Sequence, residues 1–378
     1  MLTKMKQLFL TVIISISLCD FVSAQKYSND FLSIGVGARE QGMSGASIAT
    51  AQGVFAAYWN VACLPDIEAP LQIGAMHAEW FAGVAKYDFI GLVKTSDNTL
   101  ESIQKGEVHR SAFAINAIRL GIDQIPYTLN LVGADGAINY NNVSQFSSAD
   151  YAFNLAYAKQ DNNLSYGGNI KVIRRIIGSF ASAWGVGIDL GVRYKIGNWR
   201  FAAVGKDIST TYNAWTATLT DAEKATFAAT NNDIPKSSVE TTLPTIFLGV
   251  ANISNLSDKI SFITELDLGF ATDGQRNVLI SSKAFNIDPR IGFELSYIKK
   301  IYLRAGVGNF QRLKRDADPS QTSINYQPNF GVGLKLGRLQ VDYALTNIGN
   351  VSSVLYSNIF SLTLNFISQN AANKMVMR

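Results

Sequence analysis

A two-residue alternation, sustained over a length that crosses a bilayer, limits what this chain can fold into more than any other feature. In the segment 184–194, Trp184, Val186, Ile188, Leu190, Val192 and Tyr194 share one parity, while Gly185, Gly187, Asp189, Gly191 and Arg193 share the other. Successive side chains of a strand point to opposite faces, so this segment has one lipid-like face and one wet face. Ten steps of about 3.3 Å, tilted by roughly 40°, cover about 25 Å, the height of the apolar band of a transmembrane barrel. A soluble two-layer sheet rarely needs strands of this length.

The pattern recurs at 151–157, 260–270, 291–297, 339–345 and 360–366. In the last of these, Phe360, Leu362, Leu364 and Phe366 face out while Ser361, Thr363 and Asn365 face in. Weaker versions lie at 71–78, 86–94, 110–118, 163–173, 198–205, 245–251, 301–308 and 327–336, which brings the candidates to fourteen. A fifteenth, 278–285, competes for a place. Bacterial single-chain barrels close with an even number of strands, short turns on one side and longer loops on the other. Assigning 278–285 to a loop puts the longer connections on one side: 119–148, 174–182, 206–244, 271–288, 309–326 and 347–357. The other side keeps 160–162, 196–198, 252–258, 299–300 and 337–338, with 95–109 as its long exception. The expected fold is all-β, a closed antiparallel transmembrane β-barrel of about 14 strands with a short N-terminal plug, sixteen strands being the alternative.

The ends of the chain agree with export. Lys4 and Lys6, the apolar run 8–18, and then Val22, Ser23 and Ala24 read as a signal peptide over 1–24, cleaved to leave Gln25 first. That run is about eleven residues, whereas a spanning helix needs roughly twenty. Cys19 leaves with the signal; lipidation there needs a small residue before it, and Leu18 is bulky. Only Cys63 remains, so no intrachain disulfide staples the fold. No later apolar run reaches spanning length, and a bilayer leaves a sheet closed on itself as the other solution. The mature chain divides into a plug segment at 25–70, a barrel at 71–367 and a tail at 368–378, placed in the lipid of the outer membrane. A formal charge of +4 with scattered basic residues does not make a nucleic-acid surface.

Signals for chemistry are weak. Gly35, Val36 and Gly37 begin like a dinucleotide loop, but Glu40 stands where the third glycine belongs. His77 and His109 have no carboxylate or cysteine at ligand spacing. Cys63 has no placed histidine, and there is no nucleophile elbow. The expectation is no catalytic residue, no cofactor and no metal. The inward set of Asp189, Arg193, Glu265, Asp267, Glu294, Arg304 and Asp342 mixes signs. Such charges are costly in a narrowed lumen unless paired, either with each other or with Arg39 and Glu40 of the plug. The connection 206–243 carries Tyr212, Trp215 and Phe227 and a helical piece over 221–229. Loops of that length tend to be functional or disordered, and its aromatics suit a partner or the membrane rim. Trp80, Trp184 and Trp199 are assigned to the interfacial girdles.

Residues 31–39, with Phe31, Gly35, Gly37 and Arg39, then Gly42 to Ala46, then Ala56, Ala57, Tyr58, Trp59 and Asn60, resemble the start of mature PorV/PorQ-family outer-membrane proteins, relatives of the FadL-type barrels. The likeness continues through 185–194, Leu243 and Pro244, 291–295, 303–306 and 330–344. It implies a barrel of about fourteen strands whose N-terminal segment folds into or beneath the lumen. It further implies a non-enzymatic accessory of type IX protein secretion or surface attachment, which binds a translocon or the C-terminal domain of a cargo protein. The FadL relation implies the competing role, a plug-gated channel for hydrophobic small molecules. One departure is local: the family's Asn-Pro-Ala-Gly-Leu becomes Asn60, Val61, Ala62, Cys63 and Leu64, which removes a fixed φ and an easy positive φ from the turn that ends the plug.

Overall fold

The computed structural model describes residues 28–80, 83–96, 107–131, 137–315, 318–346 and 356–366; the expected signal peptide and the tail at 368–378 lie outside them. The described strands form one antiparallel sheet that closes on itself. In chain order they are β1 (Leu71–Trp80), β2 (Ala85–Ser96), β3 (His109–Tyr127), β4 (Ser144–Asp161), β5 (Leu164–Ile177) and β6 (Ala181–Ile196). Then come β7 (Trp199–Lys206), β8 (Thr211–Ala217), β9 (Ser238–Thr242), β10 (Thr245–Asn255), β11 (Ile260–Ala271) and β12 (Ile280–Ser281). The last are β13 (Asn286–Tyr297), β14 (Ile301–Arg315), β15 (Asp318–Leu336), β16 (Leu339–Thr346) and β17 (Ser357–Phe366). Pairing of β1 with β17, from Leu71 opposite Phe366 to Glu79 opposite Asn358, completes a barrel of 14 strands.

The three remaining strands are appendages. β12 is a two-residue pairing on the start of β13, so 278–285 belongs to a connection. β8 and β9 prolong β7 and β10 above the barrel: Lys206 lies opposite Thr245 and, past a bend, Thr211 opposite Thr242. The connection 206–243 is therefore not an open loop. It is a hairpin carrying helix α3 (Asp221–Ala229), whose Thr220 and Glu223 form a reciprocal cap. Two other expected loops are likewise shorter, because β3 runs to Tyr127, β4 starts at Ser144, and β14 and β15 extend to Arg315 and Asp318. Above the lipid both faces of a strand meet water, so the backbone ladder continues after the apolar alternation has stopped.

Trp184, Leu190 and Tyr194 are outward and exposed, while Asp189 and Arg193 between them are buried in the lumen. The inside of the barrel is filled by residues 28–70, with helices α1 (Ala38–Gly42) and α2 (Ala56–Trp59) and short 3-10 turns at Asp30–Leu32, Gly53–Phe55 and Val61–Asp66. The apolar core lies here, between Val36, Val54 and Phe55 of this plug and Met76, Tyr87, Phe89 and Ile118 of β1 to β3. On that side apolar residues point inward, and the outer face carries His77 on Asp88 at 2.7 Å, with Arg119 on Asp88 at 3.5 Å. This is why 71–78 and 86–94 alternate weakly. It also corrects Trp80, which packs against the plug core instead of joining the outer girdle.

The wall makes a depth-dependent prediction. Leu190→Arg places a charge near the middle of the lipid band and should cost roughly 2–4 kcal/mol, whereas Tyr194→Arg at the rim should cost about 0–1. The fraction of heat-modifiable folded barrel in a urea series measures both. Equal losses at the two positions would contradict the assigned faces.

Candidate functional site

The lumen and its plug form the candidate site. At one end the plug lies beside β8 and β9, where Asn29 Nδ2 donates to Thr242 Oγ1 (2.8 Å) and Asn213 Nδ2 to Asn29 Oδ1 (3.0 Å). At the other end Asp66, just before β1, pairs with Arg193 at 2.7 Å and with Lys195. Burial works against the Asp66 carboxylate, but the two cations outweigh it and hold its pKa below the usual range. Between these ends α1 lies directly on the wall. A Cβ on Gly306 would sit 2.3 Å from the Met43 backbone, and one on Gly331 would sit 3.1 Å from the Gly42 Cα. Backbone meets backbone there because the wall residues, Gly306 and Gly331, carry no side chain.

Polar contacts then fix the plug. Arg39 Nε donates to Glu294 Oε2 at 2.9 Å; Arg304 donates to the same oxygen at 2.6 Å and, through Nη1, to Asp342 Oδ1 at 2.7 Å. Arg39 also faces Glu40 at 3.3 Å. All five side chains are buried, so each charge depends on its neighbours. Burial disfavours the Arg39 charge, yet Glu294 and Glu40 raise its pKa above the usual value. Burial pushes the Glu40 carboxyl up despite Arg39 beside it. On β11, Asp267 Oδ2 accepts from the backbone N–H of Ser47 (2.8 Å) and Ile48 (3.0 Å), and Glu265 accepts from Ala49 N–H and the Thr50 hydroxyl. Gly37 N–H donates to Met76 Sδ on β1 (3.0 Å) and Ala38 N–H to Ser361 Oγ on β17 (3.2 Å).

Asp189 stays within the wall. It pairs with Lys171 at 2.8 Å and accepts from Asp207 N–H at 2.8 Å, which braces the bend between β7 and β8. The outer aromatics are not a free group: Tyr212 is exposed, but Trp215 donates to Glu240 at 2.9 Å under the Arg175 guanidinium. Phe227 is half-buried on α3, whose Glu223 is held by Tyr127 of β3 at 3.0 Å. Cys63 is enclosed in the plug, and burial pushes its thiol up to about 11, so it is protonated at neutral pH.

Sequence reasoning missed the space above the plug. A cavity of about 580 Å³ is lined by Tyr58 and Trp59 of α2 and by Lys206, Phe247 and Arg290 of the wall, with Asn154, Asn169, Asn286 and Asn329 around them. Lys206 Nζ lies 3.9 Å from the Tyr58 ring centre, 5.4 Å from that of Trp59 and 5.6 Å from that of Phe247. Inward parity of 206, 247 and 290 was the available signal.

Glu294 is shared by two guanidiniums, so Glu294→Ala leaves both buried without it, a loss of roughly 3–5 kcal/mol. The wall ladder is untouched, and the effect should fall on the plug. Maleimide labelling of the buried Cys63 in folded, detergent-solubilised protein should accelerate by roughly 10²- to 10⁴-fold, since each 1.4 kcal/mol is about tenfold. Unchanged labelling would mean that the ion chain does not hold the plug.

No family model and no curated protein matches the chain. Among solved structures it is similar to the CymD monoaromatic hydrocarbon channel, with 14% identity and a TM-score of 0.53 over 89% of this chain and 98% of that one. It is also similar to the Pseudomonas putida toluene transporter TodX, with 13% identity and a TM-score of 0.53 over 88% and 98%. A Pseudomonas aeruginosa FadL homologue gives 12% and 0.51 over 88% and 98%. No comparison confirms the PorV/PorQ family. The chain shares the fold of these barrels, a closed antiparallel sheet around an N-terminal plug.

Proposed function

We propose that the chain is a plug-gated channel that admits small molecules with an apolar face across the outer membrane, acting as a conduit and not as a catalyst. The observation that carries this reading is a cavity of about 580 Å³ lying directly on a plug that polar contacts hold to the wall. Such contacts can be exchanged for water one by one as the plug shifts, without opening the barrel ladder. The plug contributes Tyr58 and Trp59 to the cavity floor, so occupation of the cavity bears directly on the element that must move. A ligand can shift that equilibrium only by its differential affinity for the two plug positions.

The roles of proteins with a similar fold, a monoaromatic hydrocarbon channel and a toluene transporter, support the channel reading. Nothing comparable supports the accessory role in type IX secretion or a protein partner. In intact cells of a porin-poor host, expression of the chain should raise uptake of labelled monoaromatic solutes several-fold over empty vector. Glu294→Ala should raise it further and admit a bulky antibiotic that the intact plug excludes. Uptake at the vector level for the whole solute panel, with both proteins folded, would refute the channel.

A further inference from the structure

We infer that the cavity above the plug is a binding site for a compact aromatic anion, with Lys206 as its counter-charge and the rings of Tyr58, Trp59 and Phe247 as the seat of its flat face. The inference rests on the channel reading for its purpose, and on the geometry for its chemistry.

The cations around the cavity are not equivalent. Lys171 lies between Asp189 and Asp207, at 2.8 and 2.7 Å. Arg290 holds Asp288 at 3.1 Å. Lys206 sits over three rings, and among the described residues no carboxylate is paired with it: Asp189 and Asp207 act on it through space but are already bridged by Lys171. An ammonium carries three donors and no acceptor. Attraction to ring faces leaves those donors free for an anion on the cavity side.

The polar groups of the two plug rings are already taken. The Tyr58 hydroxyl donates to Leu32 O, and Trp59 Nε1 donates to Val36 O at 2.7 Å, so both polar edges are consumed inside the plug. Their ring centres lie 5.1 Å apart with planes at 82°, which makes a corner. Phe247 stands opposite on β10, between Lys206 and the Arg290 guanidinium, 5.5 Å from its ring centre. A flat ring can lie against such surfaces in stacked or edge-to-face contact.

The rest of the lining selects against long alkyl chains. Asn154, Asn169, Asn286 and Asn329 present amides, and covering amides with hydrocarbon removes their water without replacing its hydrogen bonds. A cavity of about 580 Å³ falls in the range of drug-sized ligand sites. One ring bearing one anionic group satisfies Lys206, the aromatic corner and the amide shell together.

Benzenesulfonate and its neutral isostere benzenesulfonamide test this directly, by calorimetry on the folded full-length barrel in detergent at neutral pH. The sulfonate should bind at least about tenfold more tightly, as expected for one hydrogen bond to a charged group, and the preference should shrink with added salt. Lys206→Met should erase the preference and leave sulfonamide affinity unchanged; Lys206→Arg should keep it. Phe247→Leu should weaken both probes alike. Equal affinities in the wild type, an unchanged preference in Lys206→Met, or no binding of either probe would overturn the site. If Lys206→Met does not fold, the wild-type ratio and its salt dependence still decide. Solute uptake without probe binding would leave the channel standing and remove this site; probe binding without uptake would do the reverse.

Discussion

Everything in this molecule follows from the requirement that no backbone N–H or C=O be left unpaired in hydrocarbon. The requirement is met when β1 finds β17 and the sheet has no edge. Closure has a side effect, since a ring of this size encloses a volume that must be filled or left wet. The N-terminal segment fills it, and its peptide groups then need partners of their own. The wall supplies carboxylates at Glu265 and Asp267 to the peptide groups, and receives the plug's Arg39 side chain on a chain of Glu294, Arg304 and Asp342. The charges that look wasteful on a lipid-spanning strand are thus the hydrogen-bond complement of the plug.

Two kinds of contact divide the work at the plug surface. Along α1 the fit is steric, backbone on glycine, with nothing to rearrange. Around it the fit is polar and buried, and polar pairs of this kind add less to net stability than they cost when one partner is lost. A plug fastened in this way has a defined seat without being welded to it. The cavity side is different again, with Lys206 facing rings and without a paired carboxylate among the described residues. Lys206 thus differs from the wall charges that hold the plug, although all lie on the inward parity of their strands.

Alternation made the strand number legible, because lipid punishes any polar residue on the outer face and the residues at 184–194 and 360–366 obey that rule. Parity of the strand count likewise placed 278–285 in a connection, where only Ile280 and Ser281 pair. The rule lapses where the lipid ends, which is why the extents of β3, β4, β14 and β15 were not readable. It is also blurred at β1 and β2, whose inner face is apolar because the plug core lies there. Parity shows that Glu294 faces inward but cannot say what it faces; its partner Arg39 is 255 positions away in the chain. The cavity was invisible for the same reason. Lys206, Phe247 and Arg290 meet Tyr58 only through the register of several strands and the depth at which the plug rests.

The contacts of Gly37 and Ala38 bear on assembly. Adjacent plug residues bond to Met76 on the first strand and to Ser361 on the last, so the plug rivets the seam at which the two ends of the sheet are joined. In synthesis the plug and β1 emerge first, while every wall carboxylate that receives the plug belongs to strands made much later. The plug must wait in water, with its amides solvated, until the final hairpins arrive. Sealing the sheet and seating the plug then become a single event, and a barrel that closed early would have shut its own stopper outside.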